Sequence, residues 1–126
     1  MHIFDTSVVV DVLNTAPSAH ARAAQYRDPK ISVITAAELQ AGLYRARPAE
    51  PLQKSRLDAV LDGFDILPFD RDLADAYGRL LGIVGFSRRK VLDRMIAVTV
   101  LRTRAVLVTA NPADFTDVPG LHLEPW

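Results

Sequence analysis

Apolar residues in this chain form short continuous runs, separated by stretches in which they recur every three or four positions. The first pattern suits strands and the second suits helices. His2–Phe4 reads as a first strand, and Thr6 or Ser7 suits the N-cap of a helix reaching about Leu13. Asn14-Thr15-Ala16-Pro17 breaks the pattern. Ser18 to Tyr26 is alanine-rich and helical, and Asp28-Pro29 ends it. Lys30–Val33 is a second strand, after which Thr35 caps a helix from Ala36 to about Arg45. "RPAEP" interrupts the chain again. Leu52 to Leu61 carries Leu57, Val60 and Leu61 at helical spacing, and Phe64–Leu67 is a third strand. Asp70 or Arg71 opens a helix through Leu73, Ala76, Tyr77, Leu80 and Leu81, with Gly82 and Gly85 marking the loop after it. Val91–Arg102 is helical, with Leu92, Met95, Ile96 and Thr99 on one side. Ala105–Val108 is wholly apolar, as a strand buried on both faces requires. "NPADF" follows as a turn and short helix, and "GLHLEPW" as an edge strand. Strands alternating with helices predict an α/β fold with a mostly parallel sheet.

In such sheets, sites form beyond the carboxyl ends of the strands. Asp5 falls there, at the end of the first strand. Asn111 falls there too, just after the fourth. Glu38 lies in the first turn of the helix after strand two, and Asp93 near the start of the helix that begins at Val91. If the strands are neighbours, these groups converge, with Asn111 or Asp114 as a fourth. Converging carboxylates repel one another and need a neutralising partner. For oxygen donors without thiolates that partner is Mg²⁺ or Mn²⁺. A divalent ion held by a few carboxylates can activate water and clamp a phosphodiester. Each acid also has a structural reading. Asp5 suits an N-cap, "TAAE" matches a capping box with Thr35 at N-cap and Glu38 at N3, and Asp93 suits a first helical turn. Asp114 reads equally well as a surface acid.

Composition narrows the classes. The chain has 126 residues, enough for one domain with a real core, and 49% of them are hydrophobic. Fifteen Lys and Arg balance fifteen Asp and Glu, so bulk charge does not argue for nucleic acid. Any RNA contact has to come from a local cluster. Arg88, Arg89, Lys90 and Arg94 form one around Asp93, placing positive charge at the rim of an acidic pocket. The structural reading of the same run is a solvated basic loop. There is no cysteine, which fits a reducing cytoplasm. No apolar segment is long enough to cross a bilayer, and no signal peptide is expected. His2, His20 and His122 lack metal-ligand spacing. Gly42 and Ala97, one turn beyond Glu38 and Asp93, suit close approach of a substrate or a second helix, or plain helix packing.

Five pieces carry a resemblance. They are "FDTS" at 4–7, "TAAELQAG" at 35–42, "ILPFD" at 66–70, "RRKVLDRMIAVTV" at 88–100 and "LVTANPADF" at 107–115, followed by "PGLHLEPW". In this order and spacing the chain resembles the PIN-domain ribonucleases, and among them the VapC-type toxins of bacterial type II toxin–antitoxin systems. The resemblance spans residues 1–126 as a single PIN domain.

It implies a three-layer α/β/α sandwich around a central, mostly parallel sheet, and Mg²⁺- or Mn²⁺-dependent endonucleolytic cleavage of RNA to a 5′-phosphate and a 3′-hydroxyl. The family's acids map onto Asp5, Glu38 and Asp93, and its fourth position onto Asn111, with Asp114 in the same turn. Asp5, Glu38 and Asp93 are the expected metal ligands. Thr6 or Ser7 is expected to hydrogen-bond a ligand or water. The implied partners are a VapB-type antitoxin, an RNA substrate with transfer RNA among the candidates, and a second copy in a homodimer. Val8, Val9 and Val12, or Leu39 and Leu43, are candidates for either protein interface. The competing reading is a catalytically impaired PIN-like module that binds RNA or a partner, and it rests on the neutral Asn111. A receiver-like phospho-acceptor domain lacks the acidic pair and the lysine it needs.

Overall fold

Successive side chains of a strand point to opposite faces of its sheet, and the first strand shows the consequence at once. In the computed structural model, which describes residues 1–14, 17–45, 48 and 50–126, β1 is His2–Phe4. Ile3 and Phe4 are both fully buried, each in a different core cluster. The chain continues through α1 (Thr6–Asn14), α2 (Pro17–Ala23), β2 (Lys30–Ser32), α3 (Val33–Arg45), α4 (Pro51–Asp62) and β3 (Asp65–Leu67). It then forms α5 (Arg71–Val84), a 3-10 turn at Arg88–Lys90, α6 (Val91–Thr103), β4 (Val106–Thr109), a 3-10 turn at Pro112–Phe115 and β5 (His122–Pro125).

The five strands pair in parallel in the order β3-β2-β1-β4-β5. Helices cover both faces, giving the three-layer α/β/α sandwich expected from the sequence. On one face Phe4, Ile31 and Val108 meet Val8, Val9, Leu39, Leu43 and Leu57. On the other, Ile3 and Leu107 meet Leu73 and Leu80 of α5 and Ile96, Ala97 and Val100 of α6. Val8, Val9, Leu39 and Leu43 are therefore core residues, and Val12 is buried with them, so none of the five is an open interface. Parallel strands buried on both faces read as continuous apolar runs, which is why Ala105–Val108 was legible.

The strand order reverses direction between β1 and β4. A crevice opens at such a switch point, outside the carboxyl ends of the two strands. Asp5 follows β1 there, and Ala110 and Asn111 follow β4.

Several boundaries differ from expectation. The carbonyl of Asp5 accepts from the N–H of Val8 (3.0 Å) and Val9 (3.3 Å), so Asp5, rather than Thr6 or Ser7, occupies the N-cap position of α1. β2 stops at Ser32, and α3 starts at once, with the buried Ser32 hydroxyl accepting from Ile34 N–H at 3.0 Å. Thr35 lies inside the helix and is fully buried, so the "TAAE" capping box does not form. A serine that already caps makes a second cap three residues on redundant. The second helix ends at Ala23 rather than Tyr26. α5 runs through Gly82 and stops at Gly85, whose φ of 77° only glycine adopts easily. On α6, Leu92 is 45% exposed, while Arg94, Val98 and Val100 are buried, so the helix is enclosed over its later turns rather than along one stripe. Of the two sequence breaks, Thr15, Ala16, Ala46, Arg47 and Ala49 lie outside the described residues.

Candidate active site

Asp5 is the most enclosed of the candidate acids, at 5% exposure. Its own N–H extends the parallel ladder by donating to the carbonyl of Val108 at 2.9 Å, so its backbone is fixed by the sheet before its side chain is considered. Oδ2 accepts two hydroxyl hydrogen bonds, from Ser7 Oγ (2.9 Å) and from Thr109 Oγ1 (2.8 Å) at the end of β4. Both hydroxyls are themselves oriented by backbone donors: Ala110 N–H to Ser7 Oγ at 3.1 Å, and Asn111 N–H to Thr109 Oγ1 at 3.0 Å. The β4 turn thus locks the β1 carboxylate. Both of these side-chain donors reach the same oxygen, Oδ2. Ser7 was singled out in the sequence; Thr109 was not, because a threonine ending a strand is an ordinary sequence event.

Glu38 stands on α3, where Thr6 Oγ1 donates to its Oε1 at 2.8 Å and also lies 3.1 Å from Thr35 Oγ1. Ile34 near the start of α3 packs against the α5/α6 core cluster, and Leu39 and Leu43 against the other. The helix therefore passes over the end of the sheet and carries Glu38 towards the crevice. Burial raises the proton affinity of Glu38. The Thr6 hydrogen bond opposes that rise, and the negative charge of Asp5 adds to it.

Asp93, in the first turn of α6, shows the convergence most directly. Its pKa is pushed up to about 6, first by burial and then by the charges of Asp5, Asp114 and Glu38, with Lys90 pulling the other way. Side chains from four separate segments therefore share one field. The fourth contributor is Asp114, from the 3-10 turn at Pro112–Phe115. Asn111 is exposed beside it, and its carbonyl accepts from Asp114 N–H at 3.1 Å. Of the two candidates for the fourth position, Asp114 brings the charge and Asn111 shapes the turn that carries it.

The basic cluster divides. Arg88 and Arg89 are exposed. Lys90 Nζ is 3.1 Å from Asp117 Oδ2. Arg94 corrects the sequence expectation: it is 4% exposed and no part of a rim. Its Nη1 donates to the Gly85 carbonyl at 2.6 Å and its Nη2 to Asp117 Oδ2 at 2.8 Å. These bonds hold the Asp117 carboxyl below the usual carboxylate range, with Arg94 the larger cause. Arg94 so ties the start of α6 to the loop after α5 and to the segment following Asp114. Gly42 is exposed and opens on a groove lined by α1, α3 and α4, while Ala97 is fully buried in the core, so only Gly42 leaves room for an approaching chain.

The fold and this crevice define a class of protein, and comparison with known proteins agrees. The model of the PIN domain matches residues 3–121, and the chain belongs to the PIN-domain family. It is 30% identical over 137 aligned positions to Ribonuclease VapC2 of Rickettsia felis, covering 100% of this chain and 98% of that protein. Among solved structures it is similar to VapBC2 from Rickettsia felis bound to a promoter DNA fragment, with a TM-score of 0.83 and 30% identity over 99% of this chain and 98% of that one. It is also similar to DNA-bound VapBC from Salmonella typhimurium, with a TM-score of 0.85 over 99% and 97% of the two chains; at 22% identity that likeness speaks to the fold alone. No helix among the described residues is long and apolar enough to cross a membrane.

Proposed function

We propose that this chain is a Mg²⁺- or Mn²⁺-dependent endoribonuclease acting as the toxin of a toxin–antitoxin pair in the cytoplasm. The observation that carries the proposal is that the charges of Asp5, Asp114 and Glu38 all bear on Asp93, beside the switch point of the sheet. The donor set is all oxygen and negatively charged, which fits a hard divalent cation. As placed, no three His, Cys, Asp or Glu side chains among the described residues are spaced to hold one ion together. Mg²⁺ keeps several waters and takes as few as one or two carboxylates directly. Asp5 and Asp93 are the residues assigned to hold it, with Glu38 and Asp114 completing the negative field. When bound, the ion supplies Lewis acidity and an activated water for attack on phosphorus.

The chain's own residues do the rest. Ser7 and Thr109 fix the Asp5 rotamer through Oδ2, and Oδ1 is the oxygen we assign to the ligand role. Thr6 orients Glu38, the group we assign to accept a proton from water. Arg88 and Arg89, exposed in the turn before α6, are the groups we assign to phosphates of a single strand. The partners we assign are a VapB-type antitoxin, by analogy with the VapBC complexes above, a second copy in a homodimer, and RNA, with transfer RNA among the candidate substrates. A binding module without turnover drew its support from the neutral Asn111. Asp114 supplies the charge that position lacks, so the nuclease reading stands ahead.

The test is cleavage of total bacterial RNA by purified protein with Mn²⁺, with EDTA in place of the metal, and with Asp5→Asn. Discrete 5′-phosphate ends that appear only for wild type with metal support the proposal. Equal cleavage by Asp5→Asn at an unchanged circular dichroism spectrum overturns it.

A further inference from the structure

We propose that Phe86 is a stacking platform for an unpaired RNA base, with Arg88 and Arg89 gripping the adjoining phosphates. The inference rests on the nuclease reading of the neighbouring crevice and assigns how that crevice selects single-stranded substrate. Phe86 is 71% exposed, in the loop between α5 and the 3-10 turn at Arg88–Lys90. An aromatic ring held at the surface offers a nucleic-acid base a face to stack on.

Here the backbone does so. Gly85, just before Phe86, has a φ of 77° and donates its N–H to the Leu81 carbonyl at 2.9 Å. Its own carbonyl is held by the buried guanidinium of Arg94 at 2.6 Å. On the other side, Lys90 N–H donates to the Ser87 carbonyl at 3.2 Å, and Lys90 is tied to Asp117. The loop is anchored at both ends, and the ring is left outward between them.

The same anchor sets its location. Arg94 directly follows Asp93, and Gly85 directly precedes Phe86, so one hydrogen bond joins the segment with the third acid to the segment with the exposed ring. Arg88 and Arg89 follow within the same turn. Both are exposed, and among the described residues neither forms an ion pair, whereas Lys90 and Arg94 are both engaged by Asp117. An aromatic face beside uncommitted arginines, one hydrogen bond from the segment that carries Asp93, is the chemistry of single-strand recognition. The ring stacks a base of any sequence, and the guanidinium groups take its flanking phosphates. A second copy of this chain fits the patch poorly. A two-fold contact centred on Phe86 would set Arg88 and Arg89 against their own counterparts.

The experiment measures RNA binding by fluorescence anisotropy in EDTA, so that it reads independently of cleavage. The probes are a labelled single-stranded RNA of about 12 nucleotides with randomised sequence, the same length of abasic strand, and a duplex. The full-length variants are Phe86→Ala, Phe86→Leu, Phe86→Trp and the double change Arg88→Ala/Arg89→Ala. Stacking predicts that Phe86→Ala and Phe86→Leu weaken binding of the single strand roughly tenfold and Phe86→Trp preserves it. It also predicts that none of the three alters binding of the abasic strand, while the arginine pair weakens both. Equal affinity of Phe86→Ala and wild type for the single strand overturns the proposal. So does full rescue by Phe86→Leu, or a shift from dimer to monomer in Phe86→Ala by light scattering. Absence of cleavage by wild type in a parallel assay with Mn²⁺ would sink the nuclease reading alone, because the binding comparison stands without it.

Discussion

Thr109 Oγ1 donates a 2.8 Å hydrogen bond to Asp5 Oδ2, joining the ends of two adjacent parallel strands across 104 positions of sequence. The bond is buried, and its donor takes a backbone hydrogen bond from Asn111 at 3.0 Å, so the geometry of the β4 turn is transmitted to the β1 carboxylate. Removing the hydroxyl with Thr109→Val keeps the shape and takes away one of two donors to Oδ2. The expected cost in stability is about 1–3 kcal/mol, as for a buried acceptor deprived of a partner. Mn²⁺ affinity should fall by roughly ten- to a hundredfold, the usual effect of losing a group that orients a ligand. Chemical denaturation and Mn²⁺ titration of the same variant check the two effects separately. Thr109→Ser should restore most of the affinity.

The crowding of carboxylates has a thermal consequence. Asp93 binds its proton more tightly in the folded state, with a pKa of about 6 against an ordinary 3.8, so its ionisation opposes folding. That opposition is fully present above about pH 6 and is relieved as the pH falls through 6 towards 3.8. Metal-free protein should therefore melt at a higher temperature at pH 5.5 than at pH 7.5. Glu38, raised in the same direction, adds to the effect. Asp93→Asn should stabilise the metal-free protein at pH 7.5 by about 1 kcal/mol, discounted for solvent exposure, and flatten this dependence. Scanning fluorimetry in EDTA across the two pH values checks both.

Arg94 is expected to behave as a brace. With its guanidinium between Asp117 and the Gly85 carbonyl, Arg94→Met leaves the Gly85 carbonyl without this donor and Asp117 with Lys90 alone, and should cost about 2–4 kcal/mol. Arg94→Lys should recover little, because one ammonium cannot span both partners in the planar fork that arginine offers. Asp117→Asn should be comparably damaging, since it strips the counter-charge from a buried cation. Lys90→Ala, which breaks a half-exposed pair to the same carboxylate, should cost under about 1 kcal/mol. Urea denaturation of the four variants gives the ordering.

What the sequence reveals follows from the range of the interactions involved. β1 and β4 are legible because strands buried on both faces must be apolar throughout. Asp5 is legible because a carboxylate ending such a run is unexpected. Asp93 is legible from its place beside a basic loop at a helix start. Glu38 is found by its position although the capping box that marks it does not form: Ser32 caps α3 three residues earlier, and a serine at a strand end gives no distinct signal. Thr109 and Asp117 escape because their importance lies in partners 104 and 23 positions away, and no local pattern records a contact at that range. Arg94 is misplaced for the related reason that a basic run looks solvated unless the burial of one member is known. Leu92 and Arg94 exchange their expected environments because α6 is enclosed over its later turns, where a single apolar stripe no longer describes the burial.

The central proposal is that Asp5 and Asp93 hold one divalent cation at the strand-order switch point, in the negative field that Glu38 and Asp114 complete. Its most direct test is the binding of Mn²⁺, counted by the electron paramagnetic resonance signal of the free ion, to wild type, Asp5→Asn and Asp93→Asn at pH 7.5. The account predicts saturable binding by wild type and at least tenfold weaker binding by each variant, with circular dichroism unchanged. Binding by wild type that both variants match, or no binding by wild type at millimolar Mn²⁺, would contradict it.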